Sequence, residues 1–239
     1  QARGDTACLI YTSATGGNPK GVMLSHAAVM SNCMGARELL RQLGLGDEVF
    51  LSFLPLSHAY EHTAGLYFPI SIKAQIYFAE SVETLSANLV EVRPTIMVSV
   101  PRLYEVMHRR ITLGLKRQSK IKQHLFAKAV ALGRKHYENP GSLGLVQGAL
   151  NRVLEGVVRD KVRARFGGRL KGMVSGGAPL NFEVGVFFTA LGVRLLQGYG
   201  QTEAAPVISC NPPNLVKLHT VGPPFEGVEV KIAEDGEIL

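Results

Sequence analysis

The chain has 239 residues, of which 46% are hydrophobic and 19% charged, which is enough to bury a sizeable core and too apolar for a disordered tail. A formal charge of +7, from 26 basic and 19 acidic residues, leaves anionic lipid or a polyphosphate as candidate partners; no nucleic-acid-binding motif accompanies it. No apolar run reaches the ~20 residues of a membrane span, and three widely spaced cysteines, Cys8, Cys33 and Cys210, argue against a disulfide framework or zinc knuckle and for a reducing compartment.

In chain order, Ala7 to Tyr11 reads as a strand and runs into YTSATGGNPKGVMLSH, Tyr11 to His26. Phosphate binding needs inward N–H groups, small residues, hydroxyls and a positive charge. Thr12, Ser13, Thr15, Gly16, Gly17 and Lys20 supply these within nine residues. A Walker A loop is ruled out because Lys20 follows Pro19 and precedes Gly21, and no GxGxxG fingerprint follows the strand. A phosphate loop and a Gly-rich connecting turn both fit.

A helix is expected over Ala27 to Leu43, and then a strand over Val49 to Leu54. In FLPLSHAYEHTAG, His58, Glu61 and His62 spell H-x-x-E-H, the inverted zinc-protease pattern. Pro55 and Ser57 put His58 at the very start of any helix, and no third ligand stands out, so a packed histidine pair or a substrate-pocket role fits better. The apolar run Thr63 to Ile72 is compatible with either a lipid tunnel or plain core.

Strands follow at Gln75 to Phe78 and Thr95 to Val100, with a helix over Glu83 to Val92 between them. IMVSV is β-branched and apolar on consecutive residues, as in a strand covered on both faces. One long helical stretch is expected from Arg102 to Glu138, ended by Asn139-Pro140-Gly141, with Ile121, Leu125, Ala129 and Leu132 on its packed face and Lys and Arg on the other. Plain solvation and a membrane-surface role both suit that basic face. A helix over Gly148 to Phe166 leads to a strand at Gly172 to Ser175 inside MVSGGAPL, where Gly176, Gly177 and Ala178 sit at a strand-to-helix turn. Ligands collect at such strand ends in open α/β sheets.

The helix Phe182 to Ala190 and the strand Arg194 to Leu196 precede GYGQTE, Gly198 to Glu203. There the glycines admit a flat ligand, the Tyr199 ring can stack on a base, and Glu203 beside Thr202 suits Mg²⁺. From Val221 onward the chain turns to Gly/Pro turns and short alternating strands, with Glu234-Asp235-Gly236 as a hairpin turn. The fold class is α/β, with mostly parallel sheets covered by helices and antiparallel strands beginning at the C-terminal end. Residues 1–205 form the α/β core, and 206–239 start a β-rich subdomain. Both ends look cut, as if from the middle of a longer protein.

Taken together, these segments resemble the adenylate-forming acyl-CoA synthetases, and within them the long-chain fatty acid–CoA ligases. YTSATGGNPKG (Tyr11 to Gly21) is similar to that family's YTSGTTGxPKG, and its GYGxTE signature stands intact at Gly198 to Glu203. The segments LPLSH, EVRPTIMVSVPRLYE, GRLKGMVSGGAPL and VGPPFEGVEVKIAEDGEIL resemble further family blocks in the right order. The resemblance implies part of an N-terminal AMP-binding domain, with the small C-terminal domain and its catalytic lysine beyond Leu239.

It also implies roles. Thr12, Ser13, Thr15, Gly16, Gly17 and Lys20 would hold the ATP phosphates, and Thr12 and Glu203 a Mg²⁺ ion. Thr202 would contact the α-phosphate. Gly176, Gly177, Ala178, Gln197, Gly198 and Tyr199 would form the adenine and acyl-adenylate site, and His58 would meet the acyl carbonyl. Fatty acid, ATP and CoA are the implied substrates. The expected location is cytoplasmic, and a peripheral contact to the inner face of the cell membrane would suit an insoluble substrate and the basic helix face. Two residues depart from the pattern: Ala14 replaces a Gly and Gly16 a Thr. A carrier-protein-loading acyl-AMP ligase and a non-catalytic nucleotide-binding relative are the alternatives.

Overall fold

The computed structural model describes residues 2–12 and 18–239. Strands β1 (Thr6–Thr12) and β2 (Lys20–Ser25) form an antiparallel pair with Thr12 opposite Lys20. A six-stranded sheet has the order β4 (Gln75–Phe78), β3 (Val49–Ser52), β5 (Ile96–Ser99), β6 (Gly172–Ser175), β7 (Leu195–Gly200) and β8 (Val207–Cys210). Its first five strands run parallel, and β8 closes the edge antiparallel to β7. VFLS and IMVS are buried on every residue, as strands covered on both faces must be. The expected hairpin near the end is present: Ile232 bridges Ile238 around Gly236, whose φ of +89° only glycine adopts readily.

The helices are α1 (His26–Leu40), α2 (Phe68–Ser71), α3 (Leu85–Val92), α4 (Pro101–Lys116), α5 (Lys120–Glu138), α6 (Leu145–Leu154), α7 (Asp160–Arg165) and α8 (Phe182–Ala190). Ser25 caps α1 by accepting the Ala28 N–H at 3.2 Å, and Asn181 caps α8 through the Val184 N–H, also at 3.2 Å. The single helix expected from Arg102 to Glu138 is in fact two. Ser119 accepts the Lys122 N–H and starts a new helix, because a serine at that place satisfies an N-terminus better than an interior. The helix expected from Gly148 starts earlier, at Leu145, and widens into a π-helical turn over Glu155–Arg159. The strand expected over Arg194 to Leu196 is longer: β7 runs from Leu195 through the GYG string to Gly200. Strand β2 was not expected at all, since KGVMLS shows no clean alternation and its partner lies across the loop.

At the N-terminal edge of the sheet Glu48 is buried just before β3. Its carboxylate accepts from Lys171 Nζ at 2.5 Å, from the Gly46 N–H at 2.9 Å and from the Thr95 hydroxyl. Thr95 and Lys171 immediately precede β5 and β6, so one carboxylate pins three strand starts. Burial alone would raise the Glu48 pKa; the Lys171, Thr95 and Gly46 donors outweigh it and hold the group below its ordinary 4.5.

In the helical layer, buried Arg159 donates to the carbonyls of Ala129, Asn151 and Ala190, stapling α5, α6 and α8. A Cβ on Gly133 would lie 2.4 Å from the Ala190 carbonyl oxygen, so α5 meets α8 at backbone distance.

Because the folded pKa of Glu48 is depressed, its tie stabilises the fold above the ordinary carboxylate range and is lost as pH falls through the folded value. Lys171→Met is expected to cost about 2 kcal/mol at neutral pH and much less near ~pH 3, read by urea denaturation at both. An equal cost at the two pH values would remove the ion pair from the explanation.

Candidate active site

The parallel strands deliver their C-terminal ends to one edge, and there the β1–β2 pair stands over the sheet to leave a cleft of about 1120 Å³. Four stretches line it: Thr12 with Asn18–Lys20, His58–Tyr60, Val174 with Gly176–Gly177, and Gly198–Glu203 closed by Pro206 and Val207. Of the residues singled out by sequence, Thr12, Lys20, His58, Gly176, Gly177, Gly198, Tyr199, Thr202 and Glu203 therefore share one space. Ser13, Thr15, Gly16 and Gly17, and the substituted Ala14, lie outside the described residues.

Two of the named residues do not line the cleft. Ala178 is exposed beside it. Gln197 is buried, and its amide is committed to the fold: Oε1 accepts the Leu180 N–H at 2.7 Å, and Nε2 donates to the Thr220 carbonyl at 3.0 Å. Its side chain thus fastens the strand-to-helix turn after β6 to the segment before Gly222.

Residues the sequence did not single out hold the site in shape. Asn32 on α1 is buried; its Nδ2 donates to the Val207 carbonyl at 2.7 Å and its Oδ1 accepts the Val207 N–H at 3.3 Å. That pair fixes the turn carrying Thr202 and Glu203. The turn also packs on β7 itself, for a Cβ on Gly200 would fall 2.0 Å from the Pro206 carbonyl oxygen. Tyr60 is the second support. Its hydroxyl donates to the Val174 carbonyl at 2.9 Å, and its ring lies where a Cβ on Gly176 would come within 2.9 Å. The glycine is needed because an aromatic ring occupies its flank.

The H-x-x-E-H residues point three ways. His58 reaches the cleft, and its Nδ1 accepts the Tyr60 N–H at 3.2 Å, which leaves the neutral ring protonated on Nε2. His62 Nδ1 faces the Leu56 carbonyl at 3.1 Å, with its ring edge-on to Tyr67. Glu61 opens a π-helical stretch, Glu61–Tyr67, and its carboxyl turns inward to accept from Ser52 Oγ at 2.5 Å. The space it fills lies over Gly65, where a Cβ would collide with it at 2.5 Å. Among the described residues no group of three or more His, Cys, Asp or Glu side chains is arranged to hold a metal ion. Burial pushes the Glu61 carboxyl up to about 7 against the lowering effect of Ser52. Burial likewise pushes the Cys33 thiol to about 11 and Cys210 to about 12, so neither offers a ready thiolate.

The family described as AMP-binding enzyme matches residues 1–239. Among curated proteins the chain is 33% identical over 235 residues to the long-chain-fatty-acid–CoA ligase FadD15 of Mycobacterium bovis, covering 98% of this chain and 39% of that protein. It is also 33% identical over 239 residues to the peroxisomal long chain acyl-CoA synthetase 6 of Arabidopsis thaliana, covering 98% and 32%. Among solved structures, a benzoate CoA ligase from Burkholderia xenovorans superposes with a TM-score of 0.65 at 25% identity, over 100% of this chain and 39% of that one. ATP-bound MatB from Rhodopseudomonas palustris does so with 0.68 at 22% over 100% and 38%, a likeness of fold. The chain thus spans 39% or less of the length of these relatives.

Two outcomes follow from the supports. Asn32→Ala would leave the half-buried Val207 N–H and C=O without their side-chain partner, costing about 1 kcal/mol and loosening the Thr202–Glu203 turn. Thermal denaturation and faster exchange of the Val207 amide would report it; an unchanged amide would show that the turn holds itself. For Glu61 the folded pKa is raised, so its contribution is full below the ordinary 4.5 and is lost as pH climbs through about 7. Glu61→Gln, which keeps the acceptor for Ser52, should flatten that loss, gaining about 3 kcal/mol at ~pH 8 relative to ~pH 4 in denaturant titrations.

Proposed function

The chain belongs to the AMP-binding enzyme family, and on that premise we propose that it carries the nucleotide- and acyl-binding part of a long-chain fatty acid–CoA ligase. The observation that carries this reading is the convergence on one cleft of Thr12 and Lys20 from the hairpin, His58 from the β3 loop and Thr202 and Glu203 from the β7 turn. The names of the most similar curated relatives support the long-chain substrate and CoA as acceptor.

The reaction has two halves. A fatty acid carboxylate attacks the α-phosphorus of ATP and pyrophosphate leaves. The CoA thiol, giving up its proton, then attacks the acyl carbonyl and AMP leaves with the former carboxylate oxygen. A carboxylate is a weak nucleophile approaching an anion, so the site must offset phosphate charge and fix an in-line approach. Lys20 supplies a cation and Thr12 a hydroxyl at the hairpin end of the cleft, and Thr202 a hydroxyl at the other. His58, protonated on Nε2, can donate to the acyl carbonyl oxygen as charge develops there. Tyr199 and the glycines Gly176, Gly177 and Gly198 leave a flat surface for the purine. A carboxylate and a hydroxyl facing one cleft suit Mg²⁺, and Glu203 and Thr12 would hold it, where it would neutralise phosphate charge.

Calorimetry of MgATP binding, followed by fatty-acid-dependent ATP–pyrophosphate exchange, tests the reading. Glu203→Ala is expected to weaken nucleotide binding and to lower exchange on the order of 10²-fold. Nucleotide binding indifferent to Glu203 would sink the assignment of the site, and exchange supported equally by short and long acids would sink the long-chain substrate.

A further inference from the structure

Glu61 is a buried ionisable group that the two half-reactions leave unused. It is 1% exposed, and its carboxyl accepts the Ser52 hydroxyl across nine residues of chain. Ser52 ends β3, and Glu61 opens the helical turn that follows. The segment between them, Phe53 to Tyr60, is the loop that brings His58 to the cleft. The Ser52–Glu61 bond therefore closes that loop at its base. Within the loop the His58 N–H donates to the Pro55 carbonyl at 3.0 Å, the Tyr60 N–H donates to His58 Nδ1, and His62 Nδ1 meets the Leu56 carbonyl. Pro55 to His58 are exposed, so they have little packing of their own. Below them the Tyr60 hydroxyl fastens the outgoing arm to β6, and the Glu61 carboxyl fastens it to β3.

The surroundings hold the carboxyl but do not answer a charge on it. Glu61 Oε2 has no hydrogen-bond partner among the described residues. The turn Glu61–Tyr67 packs against β3, β5, α1 and α2. Neither strand carries a titratable side chain, and α2 carries none either. On α1 Cys33 is buried, with its thiol pushed up to about 11, while His26 is half-buried and Arg37 and Glu38 are exposed. Tyr60 and His62 flank the group, and burial raises the Tyr60 hydroxyl too, with Cys210 and Tyr104 beyond it. Against burial stand only two neutral donors, the Ser52 hydroxyl and the Phe53 N–H. A carboxyl in such a place is stable as the neutral acid.

We propose that Glu61 is a positioning residue that, as a neutral acid, ties the two arms of the loop together and so holds His58 at the cleft. The role of His58 rests on the ligase reading; the tie at the base of its loop does not. Glu61 touches no substrate and acts only through the loop. Loss of its proton to solvent would put an anionic oxygen where no cation meets it, and the carboxylate gains by swinging out to water. The folded pKa is raised to about 7, so the tie is full below the ordinary 4.5 and is lost as pH climbs through about 7. His58 is thereby held by a group whose own chemistry is remote from the acyl carbonyl.

Hydrogen exchange of the Tyr60 amide, the donor to His58 Nδ1, reads the loop without any turnover. Measured against the intrinsic rate, its protection in the wild type is expected to fall about thirtyfold from ~pH 5 to ~pH 7. In Glu61→Gln, which keeps the acceptor for Ser52 and cannot ionise, protection should stay level over that range. Ser52→Ala, which leaves the carboxyl in place, should lower protection about fivefold at ~pH 5. A wild-type amide that stays level, a Gln variant that falls in parallel, or a Ser52→Ala amide that is unchanged would each overturn the proposal. Fatty-acid-dependent ATP–pyrophosphate exchange should drop about tenfold in Glu61→Ala and recover in Glu61→Gln, with MgATP affinity unmoved in both. Amide protection on the expected course, with exchange absent from every protein including the wild type, would keep Glu61 as the loop's tie and overturn the ligase reading instead.

Discussion

The buried carboxylate of Glu48 is the constraint on which the sheet's alignment depends. A charge removed from water must be answered on all sides, and here the answers come from Thr95 and Lys171, the residues that lead into β5 and β6. Once those three strand starts are level, the pairing Ser99–Ser175–Gln197 falls in one row at the other end of the strands. All three are buried beneath the cleft. Ser99 is held by Tyr104 and the Val174 carbonyl, and Gln197 by the Leu180 N–H. A slip of one residue at the foot would turn these polar side chains to the opposite face and take the floor of the site with them.

The parallel strands were legible because their burial is written locally: VFLS and IMVS are apolar without alternation, and their flanking turns carry proline and glycine. The cleft residues were legible as short strings of chemistry-bearing side chains. What could not be read is what depends on partners distant in sequence. Asn32 looks like any helical asparagine until Val207, far along the chain, is brought beside it. Gln197 stands next to the GYG string and shares its neighbourhood, yet the strand's alternation turns it inward to Leu180 and Thr220. Strand β2 exists through its pairing with β1 rather than through its own pattern.

The H-x-x-E-H string makes the same point from the other side. Its spacing suits two ligands on one helical face, but spacing alone does not fix where side chains aim. The wide π-helical turn lets Glu61 fold back over Gly65 toward Ser52, while a backbone N–H occupies His58 Nδ1. One residue is thereby committed to the core and another to the cleft, so a motif of five residues serves two separate purposes.

The Asn32 clamp has a consequence for how this architecture can be inherited. Strand β2, which begins at Lys20, runs directly into α1, and α1 presents Asn32 to the turn bearing Thr202 and Glu203. The two segments that face each other across the cleft are thus parts of one mechanical unit, although more than 170 residues separate them. Recombination that exchanged the hairpin without the distant turn, or the turn without α1, would break a fit that neither piece encodes alone. The natural module for shuffling is therefore the helix together with both of its ends, and lineages that vary one side should vary the other in step.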